Sequence, residues 1–175
     1  MDKCTKMVQE RKTLESVLKN LEIKTKEDAI EFGEALTKII WNHQMLGLVY
    51  EFYDKKIQYK GYACKKITTV DDVVLEFLAM QAAFPDLKVH ITESFASGDE
   101  TNGFKVYQRS YCEGTNNGTS KFGPATGNKL NESNSFGQTL YIFKKQQNKW
   151  RVVTEYSLRS QVTIEMLLKN EIQSV

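Results

Sequence analysis

Apolar residues recur at helical spacing in the first half of the chain and at every second position in much of the second half. The stripe Val70, Val73, Val74, Phe77 and Leu78 advances by three, one, three and one residues, which is typical of one helical face. Thr69 lies just before this stripe, and two acidic residues follow in the first turn, where negative charge suits the helix dipole. The pattern predicts a helix that begins at residue 70.

Two longer helical segments are predicted upstream of it. Thr25, followed three residues later by Asp28, resembles a helix start. Apolar residues then follow mostly on one face, at Ile30, Phe32, Leu36, Ile39, Ile40 and His43. An earlier narrow stripe, Met7 to Leu21, predicts an extra N-terminal helix within residues 1–24, outside a main domain of residues 25–175. Its partner is either the rest of the domain or a second copy of the chain.

Alternating residues predict strands in the second half. The segment 87–95 alternates, with Leu87, Val89, Ile91 and Phe95 on one face and Lys88, His90, Thr92 and Ser94 on the other. It forms a predicted hairpin with residues 104–112, and a second hairpin is predicted from residues 139–145 and 150–158. A short helix at 46–53, an extended piece at 57–61 and a C-terminal helix carrying Ile164, Leu167, Leu168 and Ile172 complete the prediction. Helices first and strands later indicate an α+β fold, with helices covering one face of a curved antiparallel sheet.

Composition narrows the class of protein. The 175 residues are 41% hydrophobic and 11% aromatic, enough for one sizeable core, and the net charge of +2 is too mild to indicate nucleic-acid binding. No apolar run is long enough for a membrane span, and the N-terminus has no secretory pattern. Three cysteines without metal-ligand spacing fit free thiols, so we expect a cytoplasmic protein.

Several short motifs resemble a known family in their order and spacing. They are Trp41-Asn42, Phe84-Pro85-Asp86-Leu87, Gly98-Asp99, Gly114-Thr115, Phe122-Gly123-Pro124-Ala125-Thr126-Gly127 and a closing strand from Trp150 to Tyr156. Over roughly residues 27 to 162 the chain resembles the SnoaL-like polyketide cyclases of the nuclear transport factor two-like superfamily. The resemblance implies a cone-shaped α+β fold with a pocket between the helices and the sheet.

The last strand departs from that family. Its pattern Ile-x-Glu-x-Trp-x-x-x-Asp aligns with Val152, Thr154, Tyr156 and Ser160, so the expected acid/base aspartate is replaced by a serine. An unassisted hydroxyl cannot take over this role, because its pKa is far from the operating pH. Glu155 is a possible substitute, but alternation predicts that it faces away from Val152.

Two residues are predicted to carry proton transfer in place of the aspartate. The His90 ring could shuttle a proton in an enzyme, although its strand face is otherwise polar and a solvated or merely hydrogen-bonded histidine is the alternative. Tyr156 is the second catalytic candidate, since a tyrosine can direct its hydroxyl at a ligand.

Six residues are predicted to contact a ligand. Arg109 lies mid-strand between Tyr107 and Tyr111, where its guanidinium could bind a carboxylate or enolate, or else pair with a neighbouring strand. The remaining three are Tyr50, Tyr53 and Ser160.

These observations predict two functions. The first is binding of a small apolar molecule in a hydrophobic pocket, as a cofactor-independent cyclase-like or isomerase-like enzyme on a carbonyl-containing ligand, or without turnover. The second is a non-catalytic, homodimeric interaction module. No metal-ligand spacing or phosphate-binding loop is present, and we expect no metal or cofactor. An open cavity with Arg109, His90 or Tyr156 pointing inward would favour the first function.

Overall fold

The computed structural model describes residues 2–61, 66–159, 165, 168 and 169 of the chain. Its helices are α1 (Lys3–Asn20), α2 (Lys26–Trp41), α3 (Leu48–Phe52) and α4 (Val70–Ala83). Its strands are β1 (Tyr53–Lys60), β2 (Lys66–Ile67), β3 (Lys88–Asp99), β4 (Gly103–Thr115), β5 (Lys129–Leu130), β6 (Gly137–Gln146) and β7 (Lys149–Arg159). The elements predicted within the described residues are present, with ends that differ by up to four residues. The two-residue strands β2 and β5 were not predicted.

The strands form one curved sheet in the order β2-β1-β7-β6-β4-β3, with β5 attached to β4. The strands β3, β4, β6 and β7 are joined by antiparallel pairs, as predicted for two hairpins. In contrast, β1 runs parallel to β7. All the elements from β2 to β6 lie between these two strands in the chain. The helices lie on the inner face of this sheet. The α+β prediction is confirmed.

Local sequence explains where α2 and α4 begin. Thr25 Oγ1 accepts a hydrogen bond from the Asp28 backbone N–H over 3.1 Å, and Asp28 Oδ2 accepts one from the Thr25 N–H over 2.8 Å. This reciprocal capping box satisfies two backbone donors that the first turn leaves free. Thr69 caps α4 in the same position, with its Oγ1 accepting from Asp72 N–H over 3.2 Å. Both starts were predicted from the sequence.

The N-terminal helix packs on its own domain. Leu18 is buried in the main core, and Leu14, Val17 and Leu21 pack against that core beside α2. Of the two partners considered for this helix, the rest of the domain and a second copy of the chain, the structure shows the rest of the domain. Its other face leaves Met7 and Val8 exposed. The division at residue 24 stays a prediction.

Two β-bulges interrupt the alternation of inward and outward residues in the antiparallel part of the sheet. In β3, Ile91 pairs with Ser110 but Glu93 pairs with Arg109, which leaves Thr92 as an extra residue. Phe95 therefore turns outward and is 55% exposed, so its predicted place on the inner face is wrong.

The second bulge lies in β7. Phe143 pairs with Val152, whereas Ile142 pairs with Thr154, so Val153 is the extra residue. From this point on, the odd-numbered residues of β7 face the helices. The prediction that Glu155 faces away from Val152 is wrong for this reason.

The C-terminal helix lies mostly outside the described residues. Of its predicted apolar residues the structure describes Leu168, which is helical and buried with Leu87, Val89 and Cys112. Among the described helices, none is long and apolar enough to cross a membrane.

Candidate functional site

A cavity lies between the helices and the inner face of the sheet, as the fold prediction implied. Its volume is about 50 Å³, which is room for a few water molecules. Its apolar wall is formed by Trp41, Phe77, Met80, Leu87, Val89 and Phe122. Its polar groups come from Tyr59, Glu76, Cys112, Ser157 and Arg159. Three of these five polar residues lie on β1 or β7, so the two strands supply most of its chemistry.

Glu155 lies on the same face of β7 as Ser157, two residues deeper in the fold. Only 3% of its surface is exposed, and Tyr53 donates its hydroxyl hydrogen to Glu155 Oε2 over 2.8 Å. Its partners in neighbouring strands are Tyr59 of β1 and Tyr141 of β6. One carboxyl group is thus surrounded by three tyrosines, and Tyr59 is also part of the cavity wall.

Burial shifts the protonation of this group. Loss of hydration raises the pKa of the Glu155 carboxyl to about 7, although the hydrogen bond from Tyr53 and the positive charge of Arg159 act in the opposite direction. Burial and the nearby Glu155 also raise the pKa of Tyr53 and of Tyr59. The tyrosines therefore remain neutral hydrogen-bond donors, while Glu155 exchanges its proton near neutral pH.

A second layer of hydrogen bonds supports the tyrosines. Thr37 of α2 donates to Gln108 Oε1 over 2.7 Å, and its hydroxyl lies 3.1 Å from the Tyr141 hydroxyl. All three residues are buried. This contact ties the helix layer to the sheet beside Glu155, so it restricts the orientation of the Tyr141 ring.

Arg159 is the basic group of the cavity. It lies on the cavity side of β7, four residues beyond Glu155, and its Nη1 contacts the sulfur of Cys112 on β4. Burial lowers the pKa of Arg159, but the neighbouring Cys112, Tyr141, Tyr59 and Glu155 outweigh burial and raise it overall. The guanidinium is therefore charged at every physiological pH.

Of the predicted ligand-contacting residues, Tyr53 is the one that the structure places at this site. It is buried and bonded to Glu155. Tyr50 is 52% exposed and is absent from the cavity wall. Ser160 lies outside the described residues.

His90, Tyr107, Arg109 and Tyr111 lie on the outer face of the sheet, away from the cavity. His90 Nε2 is 2.9 Å from Glu113 Oε2, and its ring stacks on Tyr111 with centroids 4.7 Å apart. The Arg109 guanidinium lies 5.0 Å from the centre of the Phe136 ring. Any role for these residues would be at this outer surface, because inward positions on β4 belong to Gln108, Ser110 and Cys112.

Tyr156 belongs to the outer surface as well. It pairs with Leu140, Leu140 with Tyr107, and Tyr107 with Phe95, so these four side chains form a continuous row across β7, β6, β4 and β3. We call them the outer apolar row. The Lys60 ammonium lies 5.5 Å from the centre of the Tyr156 ring at one end of the row.

Sequence reasoning considered Glu155 but assigned it to the wrong face of β7, and it missed Arg159, the other charged residue on the inner face. Glu155 is the one carboxylate in β7, within a strand of otherwise apolar, hydroxyl and basic residues. That isolation was the available signal. Strict alternation concealed it, because the bulge at Val153 cannot be read from residue types.

The described residues contain no group of three or more His, Cys, Asp or Glu side chains that could hold a metal ion. Cys4 and Cys112 are free thiols, the first exposed and the second buried. What the arrangement offers chemically is one proton-exchanging carboxyl, neutral hydroxyl donors and one fixed cation.

Comparison with known families gives one match. The family model of the SnoaL-like polyketide cyclases matches residues 34–140. The match runs from the middle of α2 to the middle of β6, so it includes most of the cavity wall but stops before Glu155 and Arg159. No curated protein sequence matches the chain.

Solved structures share the fold at low sequence identity. A protein from Jannaschia sp. CCS1, assigned as a SnoaL-like polyketide cyclase, is 11% identical with a TM-score of 0.63, over 82% of this chain and 92% of that one. AclR from Streptomyces galilaeus, assigned as a hydroxylase, is 18% identical with a TM-score of 0.59, over 82% and 83%. A protein from Shewanella frigidimarina, assigned as a ketosteroid isomerase, is 12% identical with a TM-score of 0.54, over 72% and 93%. At these identities the likeness concerns the fold alone.

Proposed function

Since the chain belongs to the SnoaL-like polyketide cyclase family, we propose that it binds a small, mostly apolar carbonyl compound in its cavity and exchanges a proton with it through Glu155. The observation that carries this proposal is the buried Glu155 carboxyl with a pKa of about 7, next to a cavity lined mainly by apolar side chains. The reaction would be of the cyclase or isomerase class and would need no cofactor.

The position of Glu155 supports a role as general base. An ideal acid/base group has a pKa near the operating pH, and Glu155 meets this condition through burial alone. The carboxylate would remove a proton from the carbon beside the ligand carbonyl. Tyr59, which lies beside Glu155 and lines the cavity, would donate a hydrogen bond to the enolate oxygen that forms. The protonated Glu155 would then return the proton to another atom of the ligand.

The small size of the cavity limits the ligand. A pocket for a drug-sized molecule usually measures roughly 300 Å³ or more, so a ligand with a ring has to displace side chains as it enters. Met80 and Phe122 form part of the wall, and methionine adapts easily because its side chain is unbranched and flexible. The loop that carries Phe122 is held to α4 by Lys121, whose ammonium lies 2.6 Å from Glu76.

The experiment that tests this proposal follows hydrogen exchange of 2-indanone, a compact apolar ketone, in D2O by proton NMR. We expect the protein to accelerate exchange at the carbons beside the carbonyl. Glu155→Gln keeps the size of the side chain and removes the base, so we expect its rate to fall by about a hundredfold or more. Glu113→Gln on the outer face is the matched control, with an unchanged rate. Equal rates for wild type and Glu155→Gln would refute the proposal.

A homodimer is the second candidate, and the outer apolar row favours it. Phe95 at one end of the row is 55% exposed and stacks on Tyr107 with ring centroids 4.5 Å apart. Leu158, on the same face of β7 as Tyr156, is 65% exposed. Two such sheets related by a twofold axis would cover these side chains with identical partners. This interface leaves the cavity free, so both proposals can hold together.

A further inference from the structure

Arg159 reaches the cavity because the residue opposite it is a glycine. Arg159 pairs with Gly137 across the β6–β7 ladder, and a Cβ on Gly137 would lie 2.7 Å from Arg159 Cγ. With no side chain at this position, the arginine extends over β6 towards β4, where its Nη1 meets the Cys112 sulfur. The two residues together direct a cation into an otherwise mainly apolar cavity.

This cation has no carboxylate partner within the part of the chain that the structure describes. The ion pairs among the described residues involve other basic residues, and the guanidinium contacts the thiol of Cys112 there. A thiol is a weak acceptor, whereas a guanidinium has five N–H donors in a planar fork. Of the contacts with described residues, this one leaves most of the guanidinium's hydrogen-bonding capacity for a ligand.

The carboxylate of Glu76, which lines the cavity, should repel a bound anion only weakly. Glu76 Oε2 lies 2.6 Å from Lys121 Nζ, so its charge is balanced by a lysine. The other acidic group, Glu155, lies four residues away along the strand, roughly 13 Å between Cα atoms. Its charge still acts on Arg159, but it is the smallest of the four contributions that raise the pKa of the guanidinium. Among the described residues, Arg159 is therefore a charged group of the cavity without an ion-pair partner, and the proton-exchanging group lies further along β7.

We propose that the ligand carries a carboxylate, which Arg159 binds in the bidentate manner that suits a guanidinium. This inference rests on the proposed function, because it concerns the same cavity. It narrows the ligand class to apolar keto acids, with the carboxylate at Arg159 and the reacting carbonyl towards Glu155. Ser157, between the two on the same face, is the third polar group that the ligand would pass.

The test compares two probes of equal shape, 4-fluorobenzoate and 4-fluorobenzamide, titrated by fluorine NMR against the full chain. We expect wild type to bind the benzoate at least tenfold more tightly than the amide. Arg159→Gln should remove this preference and change the affinity for the amide by less than twofold. Arg109→Gln, which alters an arginine on the outer face of the same sheet, should keep the preference.

Three results would overturn the inference. Equal affinity of wild type for both probes would remove the carboxylate requirement and leave cavity binding of apolar carbonyl compounds intact. Binding of neither probe would also overturn it, and 2-indanone exchange would then decide the proposed function separately. If Arg159→Gln fails to fold, Arg159→Lys replaces it. This variant keeps the positive charge but lacks the planar pair of N–H donors, so it should bind the benzoate several-fold more weakly. Unchanged benzoate affinity would contradict the inference.

Discussion

Tyr53 donates a hydrogen bond to Glu155 over 2.8 Å, although the two residues are 102 positions apart in the chain. Tyr53 is the first residue of β1, and Glu155 lies beyond the bulge in β7. The parallel pairing of β1 with β7 brings them together. A buried carboxyl group is costly unless it has partners. Among the described residues, Tyr53 is the hydrogen-bond partner of the Glu155 carboxyl.

Replacing Tyr53 with phenylalanine should therefore destabilise the fold in a pH-dependent way. The variant leaves a buried carboxylate without its donor, which costs about 1–3 kcal/mol. The loss should be larger at pH 8, where Glu155 is ionised, than at pH 5, where it is protonated. Urea unfolding at both pH values measures it, and Tyr107→Phe on the outer face should show no such difference. A loss that is equal at both pH values would contradict this account.

Glu155 should also make the stability of the wild type fall as the pH rises. The pKa of its carboxyl is about 7 in the folded chain, against 4.5 when unperturbed. Between these values the folded state holds a proton that the unfolded state has released, so the free energy of unfolding decreases with pH. The shift corresponds to roughly 3 kcal/mol. Urea unfolding of Glu155→Gln should lack this contribution.

His43 makes this comparison with Glu155→Gln necessary. Burial lowers the pKa of His43, so the unfolded state binds more protons and this group raises stability as the pH increases. Its effect is opposite in sign to that of Glu155 and overlaps with it in pH. Only the difference between the wild type and Glu155→Gln isolates the carboxyl. A difference that does not change between pH 5 and pH 8 would show that Glu155 does not have a raised pKa.

The sequence predicted the helices and the fold class well because their determinants are local. The capping box at Thr25 and Asp28 and the stripe after Thr69 depend on residues three or four positions apart, and both lie where they were predicted. The order of helices and strands then limited the possible architectures. The family motifs, which lie mainly in loops and turns, indicated the same cone-shaped α+β fold.

The candidate site could not be predicted because it depends on two features that residue types do not reveal. The bulges at Thr92 and Val153 reverse the faces of Phe95 and Glu155, and a shift of one residue changes the face of every side chain that follows. The parallel pairing of β1 with β7 is a contact of long sequence separation. Tyr53 was a predicted site residue, but its partner Glu155 was assigned to the opposite face.

The outer position of His90 leads to a separate prediction. If proton transfer takes place in the cavity, His90→Asn should leave the rate of 2-indanone exchange unchanged within about twofold, because the ring pairs with Glu113 on the other side of the sheet. The NMR exchange assay described for Glu155→Gln checks this directly. A loss of a hundredfold in His90→Asn would instead make the outer histidine the proton-transferring group.

The outer apolar row predicts a dimer that a single charge should weaken. Phe95→Lys places a charge at an exposed end of the row, so we expect the dimer dissociation constant to rise at least tenfold. Light scattering coupled to size-exclusion chromatography measures the mass across a concentration series. Leu75→Lys is the matched control, because Leu75 is similarly exposed on α4. A monomeric wild type at all concentrations would rule out this interface.

The titration of the Glu155 carboxyl carbon by carbon-13 NMR tests the central claim most directly. Glu155→Gln identifies the resonance, because that signal alone should disappear from the glutamate carboxyl region. We predict a midpoint near pH 7 in the wild type and an upward shift in Tyr53→Phe, which lacks the hydrogen bond that lowers this pKa. A midpoint near 4.5 would contradict the account, because Glu155 would then be an ordinary carboxylate with no special capacity for proton exchange at neutral pH.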